Sequence, residues 1–186
     1  MRASAAVDFD TDLFIPCMAT VIESAAMTER ERYLRIELPE PLAHRPGQFA
    51  MVSLPGIGEA PISISSGPSD DNVLEMVIRN AGSLTQVLHT LEVGSSVGIR
   101  GPFGSGFDLN DFFGRDLVLV AGGLGLAPLR SLIQPVVAGA ERFGRVTIIS
   151  GCRTPAEELF RDESRSWADR PNIDVIRMVR FILARI

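Results

Sequence analysis

The sequence predicts two consecutive folds, an antiparallel β-rich front half followed by an α/β back half. Short runs rich in β-branched residues, broken by Pro and Gly, fill the chain to about residue 112, and such spacing is typical of an antiparallel barrel or sandwich. Beyond that point, compact apolar runs alternate with helical segments, as in a parallel βαβαβ unit. We therefore place one domain at 1–112 and a second at 113–186, with the boundary near Phe112–Arg115.

The composition is that of a globular protein with a core. The 186 residues suffice for one full domain or two small ones, and 46 % are hydrophobic and 22 % charged. This balance argues against a disordered, collagen-like or nucleic-acid-coating chain. No apolar run approaches the ~18–20 residues of a membrane span. The acidic N-terminus is unlike a signal peptide, and Cys17 and Cys152 are expected to be buried thiols, so we expect a cytoplasmic protein.

The charge of the chain is unevenly distributed. The net charge is −5, and every basic residue is Arg. The front half carries seven Arg against fifteen acidic residues, whereas the back half carries eleven Arg against eight. A basic back half suits an anionic ligand such as a nucleotide, although such a division is often surface chemistry alone.

The front half contains six candidate strands and one helix. The strands are predicted over Met18–Glu23, Tyr33–Leu38, Phe49–Leu54, Ile62–Ser65, Leu74–Arg79 and Ser96–Arg100. The helix is predicted over Leu84–Leu91, with Ser83 as its N-cap, because a hydroxyl there can accept an otherwise unpaired backbone N–H. Alternation along the fourth strand would place Ser63 and Ser65 on the same face.

The back half begins with an apolar run over Asp116–Ala121 that shows no alternation. Such a run fits a strand buried on both faces, as in a parallel sheet. The elements expected to follow are a helix from about Ala127 to Ala138, a strand at Arg145–Ser150, a helix at Pro155–Trp167 capped by Thr154, and a strand at Ile173–Ile176.

The glycine-rich turn after the first of these strands could bind a nucleotide. Gly123 and Gly125 form a G-x-G-x-x pattern between a strand and a helix. Glycine permits the tight turn and lets the backbone approach a pyrophosphate, whose charge meets the helix N-terminus. Pro128 replaces the third glycine and is tolerated in a first helical turn. A purely structural turn stays possible, because residues 150–153 offer no acidic partner for a ribose.

Three front-half segments could also carry a ligand, namely residues 45–49, 60–66 and 80–85. The first is a turn entering a strand, the second is a strand rich in hydroxyls, and the third begins the helix. A helix start has free N–H groups that favour an anion. Taken singly, the first two segments are better explained as a plain turn and a water-facing strand, and the third is equally well explained as an ordinary cap.

The order of these segments, followed by residues 100–104 and the glycine turn, resembles the ferredoxin–NADP reductase superfamily over about residues 16–175. The sequence looks most like its electron-transfer subunits. These include the gamma subunits of hydrogenase and sulfhydrogenase and the corresponding subunits of anaerobic sulfite reductase and dihydroorotate dehydrogenase. Residues 58–66, 122–130 and 151–155 carry the likeness to the gamma subunits.

This resemblance implies an N-terminal β-barrel that binds FAD and an α/β domain that binds NAD(P). The implied function is a flavin-dependent oxidoreductase subunit that passes electrons between NAD(P)H and a partner redox protein. Its partners would be other subunits of a hydrogenase, sulfite reductase or dihydroorotate dehydrogenase complex. Because the cofactors transfer the hydride, no side chain is expected to be catalytic, and no metal site is expected.

The resemblance also implies site residues for each cofactor. Those expected to contact FAD are Pro61, Ile62, Ser63, Ser66, Arg79, Gly82, Ser83 and Thr85. Those expected to contact NAD(P) are Gly122, Gly123, Gly125, Pro128 and Arg153. Arg79 is included as a substitute charge, because the Arg-x-Tyr-Ser strand of many family members begins at Ala60 here and lacks both the Arg and the Tyr.

The family pattern normally continues with further strands, a Cys-Gly-Pro segment and a cysteine cluster for a 2Fe–2S centre. This sequence reaches Ile186 without them, which predicts a partial NAD-binding domain, an atypical tail from about residue 176 and no iron–sulfur centre in this chain. The alternative is a non-catalytic assembly module or truncated remnant that has lost its cofactors. The choice between NAD and NADP stays open.

Overall fold

The computed structural model describes residues 15–179, and its front half is a six-stranded antiparallel sheet. Its elements are β1 (Cys17–Ala26), β2 (Glu31–Glu37), β3 (Phe49–Leu54), β4 (Gly58–Ser63), β5 (Val73–Arg79), the helix α1 (Ser83–Leu88) and β6 (Ser96–Phe103). The strand order is β4-β3-β6-β1-β2-β5. All six predicted strands are present.

The two edge strands of this sheet meet at one corner. An antiparallel bridge joins Ile64, which follows β4, to Met76 on β5. The N–H of Ser65 donates to the carbonyl of Glu75 at 2.7 Å. The sheet therefore curls around one apolar core, in which Leu34, Met76 and other inward side chains are fully buried.

The back half is a three-stranded parallel sheet, as the βαβαβ pattern predicts. Its elements are β7 (Leu117–Gly122), α2 (Leu126–Ala138), β8 (Val146–Cys152), α3 (Arg161–Trp167) and β9 (Ile173–Val179), in the order β7-β8-β9. Residues 176–179, where the atypical tail was expected to begin, continue β9. The rest of that tail, residues 180–186, lies outside the described residues, as do residues 1–14.

The prediction that β7 is buried on both faces is wrong. Leu117, Leu119 and Ala121 are each 8 % exposed, whereas Val118 and Val120 are each 65 % exposed. Alternate residues point to opposite faces of a strand, and within residues 15–179 only one face of β7 is covered. An apolar run without alternation shows that both faces can be buried, but it does not show that both are.

The helix predicted over Pro155–Trp167 is also interrupted. A 3-10 turn ends at Glu157, and Phe160 has a left-handed backbone with φ of +51° before α3 begins. Leu159 is buried in the core of the back half, so its packing overrides the local preference for helix.

The N-cap of α1 is Gly82 rather than the predicted Ser83, which is the first helical residue. The hydroxyl of Thr85 performs the capping, because it accepts hydrogen bonds from the backbone N–H groups of Ala81 and Gly82, each at 2.9 Å. The cap therefore comes from inside the helix rather than from the residue before it.

Strand β5 contributes to both cores. Leu74, Met76 and Ile78 pack into the core of the front sheet, while Val77 packs into the core formed by β7, β8 and α2. The two halves are therefore in contact through β5, and Tyr33 of the neighbouring strand β2 also packs against the core of the back half.

Candidate functional site

A cleft of about 700 Å³ lies between the two sheets, at the carboxyl ends of β7 and β8. This edge is where open α/β sheets bind ligands. The cleft is lined by Arg30, Arg79, Gly122, Gly123, Leu124, Gly151, Cys152, Arg153, Glu157, Met178 and Val179. It thus brings together one residue predicted for FAD, Arg79, and three predicted for NAD(P).

The glycine turn leaves its backbone open to a ligand. Gly123 has φ of +51°, a conformation that favours glycine. A Cβ atom added to Gly122 or Gly125 would meet nothing within 4 Å, and at Gly123 the nearest group would be Arg79 Nη2 at 4.0 Å. An open turn between a strand and a helix start fits a dinucleotide pyrophosphate. Pro128 lies in the first turn of α2 and does not line the cleft.

Arg79 is held in place by a buried carboxylate. Its Nη2 and Nε atoms each lie 2.6 Å from Oε1 of Glu31, which is 4 % exposed. The hydroxyl of Thr28 donates to the other oxygen of Glu31. Burial acts to raise the pKa of Glu31, but the Thr28 and Arg79 hydrogen bonds outweigh it, so the pKa lies below its ordinary value. Arg79 is therefore a fixed cation at the end of β5.

The opposite wall of the cleft carries a second ion pair. Arg153 makes two parallel hydrogen bonds to Glu157, each 2.9 Å long, and this contact raises the pKa of Arg153. Arg30 also lines the cleft, and among residues 15–179 no carboxylate lies within ion-pair distance of it. The lining of the cleft thus carries three arginines and one carboxylate, Glu157, while Glu31 pairs with Arg79 from outside the lining. This balance favours a phosphate-bearing ligand.

Sequence reasoning missed Arg30 and Glu157. Arg30 lies in the β1–β2 turn, far along the chain from the glycine turn, and no local pattern marks it. Glu157 lies four residues after Arg153, and that spacing, typical of an ion pair on a helix, was the one available signal.

The other residues predicted for FAD lie outside this cleft. Pro61, Ile62 and Ser63 are on β4, and each is exposed or half-buried. Ser66 is 9 % exposed and lines a separate cavity of about 660 Å³ between β5 and α2, where its Oγ accepts a hydrogen bond from the N–H of Glu75.

The start of α1 is open and suits an approaching anion. Gly82 and Ser83 are exposed, and a Cβ atom added to Gly82 would meet nothing within 4 Å. The hydroxyl of Thr85 is already committed, because it donates to the carbonyl of Gly82 at 3.0 Å while it accepts the two N–H groups of the cap. Thr85 therefore shapes the loop, and Gly82 and Ser83 are left as the groups that a ligand can reach.

The two cysteines are free thiols. The prediction that both are buried is wrong for Cys17, which is exposed on β1. Cys152 is half-buried in the cleft, where burial together with Glu158 and Glu157 raises its pKa, so the side chain is held as the neutral thiol.

Among residues 15–179, no group of three or more His, Cys, Asp or Glu side chains is placed to hold a metal ion. No helix in that range is long and apolar enough to cross a bilayer.

Two protein families match this chain. The oxidoreductase FAD-binding domain matches residues 18–107, and the oxidoreductase NAD-binding domain matches residues 119–182. The gamma subunit of sulfhydrogenase 1 from Pyrococcus furiosus is 36 % identical over 167 residues, which cover 87 % of this chain and 57 % of that protein. A probable dihydroorotate dehydrogenase B (NAD(+)) electron transfer subunit from Methanocella arvoryzae is 36 % identical over 152 residues, which cover 81 % of this chain and 54 % of that protein.

Solved structures share the fold. The Amycolatopsis cytochrome P450 reductase GcoB superposes with a TM-score of 0.77 at 26 % identity, over 91 % of this chain and 54 % of that one. A mutant of Plasmodium falciparum ferredoxin-NADP+ reductase, at 14 % identity, shares the fold with a TM-score of 0.78, over 91 % of this chain and 77 % of that one. The chain spans about half the length of the curated relatives it matches. The chain carries an oxidoreductase FAD-binding domain followed by an oxidoreductase NAD-binding domain, in a fold that it shares with ferredoxin-NADP+ reductase.

Proposed function

We propose that this chain is an electron-transfer subunit that takes electrons from NAD(P)H through FAD and delivers them to a partner redox protein. FAD would be bound within residues 1–112 and NAD(P)H within 113–186. The relatives named as sulfhydrogenase gamma and dihydroorotate dehydrogenase electron transfer subunits support this role. They also support a partner that is another subunit of a redox complex.

The observation that carries the proposal is the position of Arg79 beside the glycine turn. Arg79 ends the strand that leads to the open start of α1, and its Nη2 atom would lie 4.0 Å from a Cβ atom added to Gly123. Arg79, one of the residues assigned to FAD, therefore faces the same 700 Å³ space as the glycine turn assigned to NAD(P). This proximity supports the proposal, because two cofactors that exchange a hydride need their reacting atoms within ~3–3.5 Å.

The residues of the chain bind and orient, and FAD when bound supplies the chemistry of accepting a hydride and releasing electrons singly. Gly82 and Ser83 would present the start of α1 to the FAD pyrophosphate, with Pro61, Ile62 and Ser63 along the adjoining strand and Ser66 beyond it. Gly122, Gly123 and Gly125 would present the turn before α2 to the dinucleotide, with Pro128 in the first turn of that helix. Arg79, Arg153 and Arg30 would offset phosphate charge.

The visible absorption spectrum of the purified chain tests the proposal directly. The chain is incubated with FAD, desalted and scanned, and NADH is then added without oxygen. We expect about one flavin per chain, bleached by NADH. A colourless folded protein that retains no FAD would refute the proposal and favour the alternative, an assembly module without cofactors.

Two matched glycine variants separate the two sites. Gly82 and Gly122 both have backbone angles open to any residue, and at both an added Cβ meets nothing within 4 Å. We expect Gly82→Val to abolish FAD retention. We expect Gly122→Val to retain FAD but to resist bleaching by NADH, while dithionite still bleaches it. The opposite pattern would show that the two sites have been assigned the wrong way round.

A further inference from the structure

Arg130 on α2 is an almost fully buried charge that links three parts of the molecule. It is 6 % exposed. Its Nε donates to Glu163 of α3 at 2.7 Å, and its Nη1 donates to Glu75 of β5 at 2.5 Å and to the carbonyl of Ser65 at 3.1 Å. Burial acts to lower the pKa of Arg130, but Glu163 and Glu75 outweigh it, so the pKa lies above its ordinary value and the side chain stays charged.

The left-handed residue Phe160 completes the surroundings of this charge. The centre of the Arg130 guanidinium lies 4.5 Å from the centroid of the Phe160 ring. Phe160 is the one non-glycine residue of 15–179 with positive φ, a conformation that L-amino acids other than glycine disfavour. The bend at Phe160 places both its ring and Glu163, one turn further along, against the same guanidinium. Backbone strain of this kind is typical of functional positions.

Two neighbours of Arg130 on α2 also contact the front sheet. Oγ of Ser131 accepts a hydrogen bond from the N–H of Gly47 at 2.8 Å. Oε1 of Gln134 accepts one from the N–H of Gly67 at 2.6 Å. Arg130, Ser131 and Gln134 thus hold the turn before β3 and the segment after β4, and they lie on the helix that begins at the glycine turn.

Stability alone does not explain a buried arginine at this position. Burying Arg130 and partly burying Glu75 and Glu163 costs free energy, and replacing a buried ion pair with apolar side chains is often neutral or stabilising. What such a network adds is a defined geometry, because each guanidinium N–H has a fixed direction. Here that geometry relates the segment after β4 to the helix that carries the glycine turn.

We propose that Arg130 is a positioning residue that sets the separation between the segment assigned to FAD, residues 61–66, and the glycine turn assigned to NAD(P). The expected effect of Arg130 on the rate of hydride transfer rests on the proposed function. That rate is sensitive to distance, because a shift of ~1 Å can lower it about 100-fold. The contacts themselves are independent of any cofactor.

The first test measures those contacts without a cofactor, by native-state hydrogen exchange. The variant is Arg130→Lys, which keeps the charge and loses the planar fork. The matched control is Arg145→Lys, whose parent residue forms an exposed ion pair with Asp174. We expect the amides of Gly47 and Gly67 to exchange at least tenfold faster in Arg130→Lys only, with Leu34 in the front core unchanged. Unchanged protection at Gly47 and Gly67 would overturn the proposal.

The second test uses the FAD-loaded chain. We expect Arg130→Lys to retain FAD, to be reduced by dithionite as fast as the parent, and to show a KM for NADH within twofold. Its limiting rate of reduction by NADH should fall at least tenfold. A loss confined to FAD content or KM would show a merely structural role.

Glu163→Gln, which leaves the fork of Arg130 in place and removes one charged partner, provides a second variant if Arg130→Lys does not fold. Glu163→Gln should raise the amide exchange of Gly47 and Gly67 and lower the limiting rate of reduction by NADH, each by less than Arg130→Lys does. Parental amide exchange and a parental reduction rate in Glu163→Gln would count against the proposal. A parent chain that NADH does not reduce would refute the proposed function, while the exchange experiment would still decide whether Arg130 fixes the two segments.

Discussion

Leu119 and Val120 are adjacent on β7, yet Leu119 is 8 % exposed and Val120 is 65 % exposed. The first packs in the core with α2, and the second lies on a face where Ile176 and Met178 of β9 are also exposed. Within residues 15–179, the parallel sheet is therefore covered on one side only.

This asymmetry predicts different costs for two neighbouring truncations. Leu119→Ala removes buried methyl groups and leaves a cavity, so we expect it to lower the free energy of unfolding by ~2–4 kcal/mol. Val120→Ala should change it by less than ~0.5 kcal/mol, as exposed substitutions usually do. Urea denaturation measures both. Equal costs would mean that the outer face is covered in solution.

The left-handed conformation of Gly123 predicts a binding defect that is separable from a stability defect. Gly123 and Gly114 have φ of +51° and +71°. Gly123 follows the carboxyl end of β7, whereas Gly114 precedes its amino end. Alanine at either position should cost ~1–2 kcal/mol through backbone strain. Only Gly123→Ala should raise the NADH concentration needed to bleach bound FAD, by about tenfold. If Gly114→Ala raised it equally, the defect would be one of folding.

The buried carboxylate of Glu31 predicts acid sensitivity. Its pKa is lowered on folding, so its contribution is complete above the ordinary glutamate pKa of about 4.3 and is lost as the pH falls through the lower folded value. We expect Glu31→Gln to be less stable than the parent at pH 7, with a difference that shrinks below about pH 4. Urea denaturation between pH 7 and pH 3 measures this. Glu92→Gln, at an exposed position, is the control.

The Arg153–Glu157 pair predicts a preference for NADH over NADPH. The 2′-phosphate of NADPH would need a free cation near the end of β8. Glu157 already accepts hydrogen bonds from both Nε and Nη2 of Arg153. Glu157→Gln should release that charge and raise kcat/KM for NADPH about tenfold relative to NADH. Asp162→Asn, which frees Arg165 on the surface of α3, should leave the ratio unchanged. If the ratio of kcat/KM for NADPH to that for NADH were the same in both variants, the 2′-phosphate of NADPH would bind away from Arg153.

The strands were predictable because their signals are local. Each predicted strand overlaps an observed one, and the glycine turn lies where its pattern places it. The fourth strand begins at Gly58 rather than Ile62 because its pairing with β3 extends back to the hairpin turn. As an edge strand it can accommodate Pro61, which reads as a breaker in the sequence.

The errors concern features that depend on distant residues. Coverage of β7 depends on what packs against each face, and the break at Phe160 depends on the burial of Leu159 and on Arg130. The cleft brings Arg30 and Glu157 together from the β1–β2 turn and from the turn after β8. A contact between residues so far apart in the chain leaves no local sequence pattern. The turn at Gly123 could be predicted because it depends on the backbone preference of glycine itself.

Strand β5 has consequences for how the molecule unfolds. Met76 and Val77 are adjacent, and each belongs to a different core. Separating the sheets would strip one face of β5 and expose the charges around Arg130 together. Neither sheet is therefore an autonomous folding unit, and heat should melt both in a single calorimetric transition rather than in two.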